Sequence, residues 1–185
     1  MSQACTASVI IAFYNDTTLL KLILQALRAE GDERVEVIVA DDGSRPEASR
    51  IAQSLLGDTP LRSTYLWHPD DGFRKPAILN QAIEAARSDT LIFLDGDCVP
   101  QRGFLAGHLR NRHGAQCRAG RRVDMPYAFL EQLNLRNPAR LLAANWHRFL
   151  MPALRHQIRH GENLLRLSPN AMTTSTVSNS LHPML

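Results

Sequence analysis

The sequence predicts an α/β fold, a mostly parallel sheet flanked by helices, on three observations. Three short apolar runs read as buried strands, segments of helical period separate them, and each run ends in a polar loop. Strand, helix, strand, helix, strand is the order of a parallel sheet with helical crossovers. The first run is Ala7-Ser8-Val9-Ile10-Ile11-Ala12, which ends at Phe13-Tyr14-Asn15-Asp16. Asp16-Thr17 is a helix start signal, after which Leu19, Leu20, Leu22, Ile23, Leu24 and Leu27 recur at three- and four-residue spacings. The second run, Val35-Glu36-Val37-Ile38-Val39-Ala40, is rich in β-branched residues and ends in Asp41-Asp42-Gly43-Ser44. From Pro76 to Arg87, Ile78, Leu79, Ala82, Ile83 and Ala86 form one helical stripe, and proline is acceptable in a first turn. The third run, Thr90-Leu91-Ile92-Phe93-Leu94, leads into Asp95-Gly96-Asp97.

Composition narrows the class. A chain of 185 residues is long enough for one domain with a real core and too short for two large ones. Its apolar content of 44% and charged content of 21% are ordinary for a soluble globular protein. No run of 18 apolar residues occurs, so no transmembrane helix is expected. The N-terminus lacks a basic region and a long apolar core, so no signal peptide is expected. Cys5, Cys98 and Cys117 are widely spaced, without a Cys-x-x-Cys, which argues against a disulfide framework or a zinc site and fits a reducing cytoplasm. His156 and His160 share a helical spacing, but no Glu stands beside His156, and solvated histidines are the simpler reading.

Charge is unevenly spread. Residues 1–101 hold 9 basic and 15 acidic side chains, whereas residues 102–185 hold 12 Arg, no Lys and 3 acidic side chains. Arg forks suit phosphate and carboxylate, and a solvated helical face is the equal alternative. No nucleic-acid motif appears and aromatic interleaving is thin, so nucleic acid is not expected as a partner. An anionic membrane surface fits better. Leu141, Leu142, Trp146, Phe149, Leu150 and Leu154 interleave with Arg140, His147, Arg148 and Arg155, an interfacial pattern that Pro152 interrupts. From Ser168 the chain turns Ser/Thr-rich and loses its period, so residues 167–185 are expected to be a disordered polar tail.

The chemistry concentrates at the strand ends. Asp95 and Asp97 put two hard oxygen ligands at the carboxyl end of a strand, where open α/β sheets bind ligands. Two like charges so close repel, so a positive group is expected between them, and a divalent cation carrying a phosphorylated substrate is the economical answer. Asp41 and Asp42 form a second pair at a matching place, which makes a chance Asp/Gly turn less able to explain the first.

With both pairs placed, the chain resembles the family-2 glycosyltransferases of the GT-A fold, a Rossmann-like nucleotide-diphospho-sugar transferase architecture. Four blocks carry the resemblance: residues 9–15, Val37-Ile38-Val39-Ala40-Asp41-Asp42-Gly43-Ser44, Gly72-Phe73-Arg74-Lys75-Pro76-Ala77-Ile78-Leu79-Asn80-Gln81-Ala82-Ile83, and Leu91-Ile92-Phe93-Leu94-Asp95-Gly96-Asp97. It is firm over residues 7–104 and looser to about 166, which suggests a nucleotide-sugar-binding domain over 1–166 whose acceptor half is partial from about 105. The resemblance implies metal-dependent, inverting transfer from a nucleotide-diphosphate sugar to a hydroxyl on a glycan or lipid-linked acceptor, in polysaccharide synthesis at the cytoplasmic side of the envelope. It implies Mn²⁺ or Mg²⁺ on Asp95 and Asp97, with Asp97 the stronger ligand and Asp95 near the ribose or the metal. It implies that Asp41 or Asp42 reads base and ribose, that Phe13, Tyr14 and Asn15 line the base pocket, that Lys75 and Arg74 face the diphosphate or hold the Asp pair, and that Asn80 supports that wall. Each residue also has a plainer reading: a capped turn for Asp41 to Ser44, core for Tyr14, solvent for Lys75, a local brace for Asn80.

Family members continue to an acidic motif that supplies the catalytic base. Gly120-Arg121-Arg122-Val123 resembles the start of that half, but after Arg166 the likeness stops, and Glu162 has no geometric claim to be the base. The catalytic residue is therefore unassigned, and a truncated or frame-shifted end is expected. Two alternatives stay open: a non-catalytic nucleotide-binding or membrane-docking module, and a nucleotidyltransferase, against which the loop Phe13-Tyr14-Asn15-Asp16-Thr17 counts because it lacks Gly and Lys.

Overall fold

A computed structural model describes residues 5–110, 120–124 and 175–178. Contacts divide the chain into two compact units, Met1–Leu24 with Gly31–Gly96, and Gln25–Glu30 with Asp97–Leu185. The first unit holds a four-stranded parallel sheet. Its strands are β1 (Ala7–Phe13), β2 (Val35–Asp41), β3 (Arg62–Trp67) and β4 (Leu91–Asp95), in the order β3-β2-β1-β4. The connecting helices are α1 (Thr17–Ala29), α2 (Pro46–Gly57) and α3 (Lys75–Ala85). The α/β class and the three expected strands are thus present.

The chain runs outward from β1 through β2 to β3, then α3 carries it back to β4 on the far side of β1. That reversal is a topological switch point, and ligands of open α/β sheets bind beyond the strand ends there. Register aligns those ends: Ala12 stands opposite Asp95, Phe13 opposite Asp41, and Asp41 opposite Trp67.

β1 and β2 are buried almost throughout because sheet neighbours flank both. Ile10, Ile38 and Ala40 pack with Ile78 and Ala82 of α3, which is why a helix with an apolar stripe follows β3. Of the expected α3 stripe, Ile83 is exposed. α1 begins as its start signal predicts: the Leu19 N–H donates to Asp16 Oδ1 at 2.9 Å, satisfying an orphan donor of the first turn.

The structure departs from expectation at three places. First, α2 and β3 have no counterpart in the sequence reading. Arg45 precedes α2 without a side-chain cap, and β3 is a polar edge strand whose first and last residues are exposed. Second, β4 is not buried throughout. Ile92 and Leu94 are buried while Phe93 is half-exposed, because β4 lies at the sheet's edge among the described residues. Third, the polar tail contributes a strand at Ser175–Ser178, where Thr176-Val177 has β propensity.

At the opposite end of the sheet, Glu36 is buried and heavily used. It accepts from Ser8 Oγ at 2.6 Å and from the Arg87 N–H at 2.6 Å, and Arg87 Nε lies 3.8 Å from its second oxygen. The Ser88 N–H donates to Ser8 Oγ at 3.2 Å. A buried carboxylate so satisfied ties the α3–β4 connection to β1 and β2.

The second unit contains β5 (Cys98–Pro100), α4 (Phe104–Arg110), β6 (Arg121–Asp124) and β7 (Ser175–Ser178). β7 runs antiparallel to β5 and parallel to β6. The Gly103 N–H donates to Glu30 Oε1 at 2.5 Å, and the Phe104 ring meets His108 edge-on with centroids 4.8 Å apart. No helix among the described residues is long and apolar enough to cross a membrane. Cys117, the Arg- and Leu-rich stretch 140–155, His156, His160 and Glu162 lie outside the described residues.

Candidate functional site

In the first unit, the carboxyl ends of β1, β2 and β4, together with α3, carry the sequence-predicted residues other than Asp97. β1 delivers Phe13, Tyr14 and Asn15. Phe13 is buried, so Tyr14, 54% exposed, is the aromatic this loop presents. Asn15 takes φ 60°, a left-handed conformation that Asn tolerates better than most residues. Its N–H donates to Ser44 Oγ at 2.8 Å and its Oδ1 accepts from the Arg45 N–H at 2.9 Å. These two bonds tie the β1 loop to the β2 loop.

The Asp41-Asp42 pair splits into two environments. Asp41 is fully buried. It accepts from the Ser44 N–H at 2.7 Å, from Ser49 Oγ at 3.2 Å and from the Tyr65 hydroxyl, so its carboxylate is spent on holding the β2 loop, α2 and β3. Asp42, nearly buried, is paired with His68 Nε2 at 2.7 Å through Oδ1 and accepts the Arg74 N–H at 3.2 Å through Oδ2. An ionised carboxylate only accepts, so the imidazole nitrogen is the donor. Trp67, half-exposed, donates from Nε1 to the Ser44 carbonyl at 3.4 Å. Tyr14 Oη donates to Asp70 Oδ2 at 3.3 Å.

Burial, and after it the hydrogen bond to Asp41, push the Tyr65 phenol up from its ordinary value. The folded phenol therefore ionises above the unfolded one. Protonated Tyr65 contributes stability in full below about pH 10, where a free phenol titrates, and loses it as pH rises through the folded value. Of the chain's three tyrosines, one is expected to ionise last in an alkaline absorbance titration. Tyr65→Phe should remove that late step, and a titration left unchanged by the substitution would contradict the assignment.

α3 opens with Lys75, whose Nζ lies 2.5 Å from Oδ1 of Asp95, the last residue of β4. A positive group thus meets one of the two repelling carboxylates. Arg74 pairs instead with Asp71 at 3.2 Å. Asn80 is exposed on α3. Gly96 is required where it stands, since a Cβ there would run into the Ala12 carbonyl oxygen. Asp97 is half-buried in the second unit and accepts a weak thiol bond from Cys98 at 3.4 Å. Asp95 in the first unit and Asp97 in the second each offer a hard carboxylate oxygen, the donor type that Mg²⁺ and Mn²⁺ take.

His68, Tyr65 and Trp67 escape the sequence reading because all three belong to or follow β3, the strand that its polar residues conceal. The one available signal was position: His68 follows the aromatic end of a polar run.

Comparison with known proteins identifies a family. The family model described as glycosyl transferase family 2 matches residues 8–119. An uncharacterized glycosyltransferase of Bacillus subtilis, YfnE, is 37% identical over 105 residues, which is 56% of this chain and 26% of that protein. The cellulose synthase 1 catalytic subunit of Komagataeibacter xylinus is 34% identical over 73 residues, 40% of this chain and 9% of that one. The chain thus spans about a quarter or less of these curated relatives. Among solved structures, a mannosyltransferase of Pyrobaculum calidifontis in complex with GDP-Man and Mn²⁺ is 21% identical at a TM-score of 0.49, covering 71% of this chain and 39% of that chain.

Proposed function

Since the chain belongs to glycosyl transferase family 2, we propose that it takes part in moving a sugar from a nucleotide-diphosphate donor to a hydroxyl acceptor, with inversion at the anomeric carbon. The observation that carries this reading is the convergence of Tyr14, Asp42, Lys75 and Asp95 at the carboxyl ends of β1, β2 and β4 and the start of α3, beside the switch point. Tyr14 stacks on the base. Asp42 sits at the rim of that pocket, and Asn15 holds the two loops that form it. Lys75 exchanges Asp95 for the donor diphosphate and stabilises the charge that develops as the diphosphate leaves. Asp95 and Asp97 would hold Mn²⁺ or Mg²⁺, which would supply positive charge to neutralise the diphosphate as it departs. One in-line attack by the acceptor hydroxyl inverts the configuration. No residue of this chain is assigned as the base that takes the hydroxyl's proton.

Likeness to a cellulose synthase subunit supports a glycan acceptor. The Arg-rich composition of residues 102–185 supports peripheral contact with an anionic membrane at its cytoplasmic face. Donor use falls within residues 1–166, with the acceptor half beginning near 105. Incubation of the purified chain with UDP-glucose, GDP-mannose and dTDP-glucose in Mn²⁺ tests the reading. Release of one nucleotide diphosphate, stopped by a chelator, is expected. Binding without any release in the presence of acceptor sugars would instead identify a binding module.

A further inference from the structure

We propose that His68 is a positioning residue for the donor site, acting through Asp42 on the start of α3 and so on Lys75. The proposal rests on the donor-site reading above. One carboxylate holds both ends of a loop. Asp42 Oδ1 pairs with His68 Nε2 at 2.7 Å and Oδ2 accepts the Arg74 N–H at 3.2 Å. The five residues between them, Pro69 to Phe73, are all exposed, and Gly72 turns at φ 73°. Phe73 is 82% exposed, so packing of its own side chain does not anchor this loop. Its anchors are the two bonds to Asp42, the Tyr14 bond to Asp70, and the close seat of Asp70 against Gly43.

Arg74 is the residue before α3 and makes no side-chain cap of its own. The carboxylate of Asp42 instead accepts the N–H of this N-cap residue from another loop, where a negative charge also suits the helix dipole. For Oδ2 to meet the Arg74 N–H, the carboxylate plane must be fixed. The charge-assisted bond from His68, itself buried, fixes it. Without that donor, Asp42 keeps a nearly buried oxygen without a partner and turns or hydrates to satisfy it. The Arg74 contact then loosens, and the next residue is Lys75, whose ammonium reaches Asp95 from the first position of α3. His68 touches no reacting atom in this account. It sets where Lys75 stands.

The chain's two lysines make the test direct, because Lys21 is exposed on α1 and serves as the internal control. Acetylation with a limiting amine-reactive reagent, read peptide by peptide by mass spectrometry, reports the rate at Lys75 relative to Lys21. His68→Ala is expected to raise that ratio by about threefold, the protection that a partly exposed ion pair affords. His68→Gln, whose amide N–H can still reach Asp42, should return the ratio to the wild-type value. An unchanged ratio in His68→Ala, or a rise that His68→Gln does not reverse, overturns the proposal. Should His68→Ala fail to fold, His68→Phe fills the space without donating and makes the same comparison. Titration of UDP and GDP in Mn²⁺ separates this inference from the one beneath it. Lack of binding by the wild-type chain refutes the donor site, while the lysine ratio still decides whether His68 positions Lys75.

Discussion

Replacing Asp97 with alanine is expected to abolish Mn²⁺-dependent binding of nucleoside diphosphate by the purified chain. The reason is the division of labour at the end of β4. Asp95 already faces the Lys75 ammonium at 2.5 Å, so its negative charge is partly answered without a metal. Asp97 meets a thiol at 3.4 Å, a weak donor that leaves its charge for a cation. Loss of groups that merely orient metal ligands costs about 10–100-fold in affinity, and loss of a ligand should cost at least about 100-fold. Asp97→Asn is the companion variant, since it keeps the shape and removes the charge. Calorimetric titration of nucleotide with and without Mn²⁺ reads the effect. Metal-dependent affinity that survives in Asp97→Ala would remove this residue from the metal site.

Gly43→Ala should be a strongly damaging single-carbon change in the first unit. Gly43 has φ 84°, and a Cβ there would lie 2.5 Å from Asp70 Cα and 2.7 Å from Asp70 N. These are backbone atoms, so no flexible side chain can yield. The substitution must twist the β2 loop or lift the β3–α3 loop from its seat, and the second also pulls at the Asp42 bonds. A loss of about 2–3 kcal/mol in urea unfolding is expected, with weaker nucleotide binding beside it. Gly31→Ala supplies the contrast. Its φ is 70°, but nothing lies within 4 Å of the added carbon. It should carry the backbone strain alone, about 1 kcal/mol. Equal losses at the two sites would show that the contact with Asp70 does not matter.

The elements legible in the sequence are those whose own pattern determines them. β1 and β2 lie between other strands, so their apolar runs are continuous, and α3 announces itself through Ile78 and Ala82. β3 does not, because an edge strand can be Arg-Ser-Thr-Tyr and still pair with β2. α2 starts without a capping side chain, and β7 owes its existence to partners far away in the chain. The same division applies to the site. The resemblance implied that Lys75 faces the diphosphate or holds the Asp pair, and in the structure its Nζ lies 2.5 Å from Asp95 Oδ1. The different fates of Asp41 and Asp42 could not be read, since two adjacent identical residues differ here only in what surrounds them. Asp41 points into Tyr65, Ser49 and the Ser44 N–H, whereas Asp42 reaches His68 and the start of α3. His68 itself could be noticed only once β3 was known to be a strand.

The carboxyl end of this sheet is expected to hold a nucleoside diphosphate together with a divalent cation. Calorimetric titration of UDP, GDP and dTDP into the purified chain, with and without Mn²⁺, tests it most directly. Binding of one of the three that requires the metal is the predicted result, and it would also name the base. No binding of any of them, with the metal present and the chain folded, would contradict it.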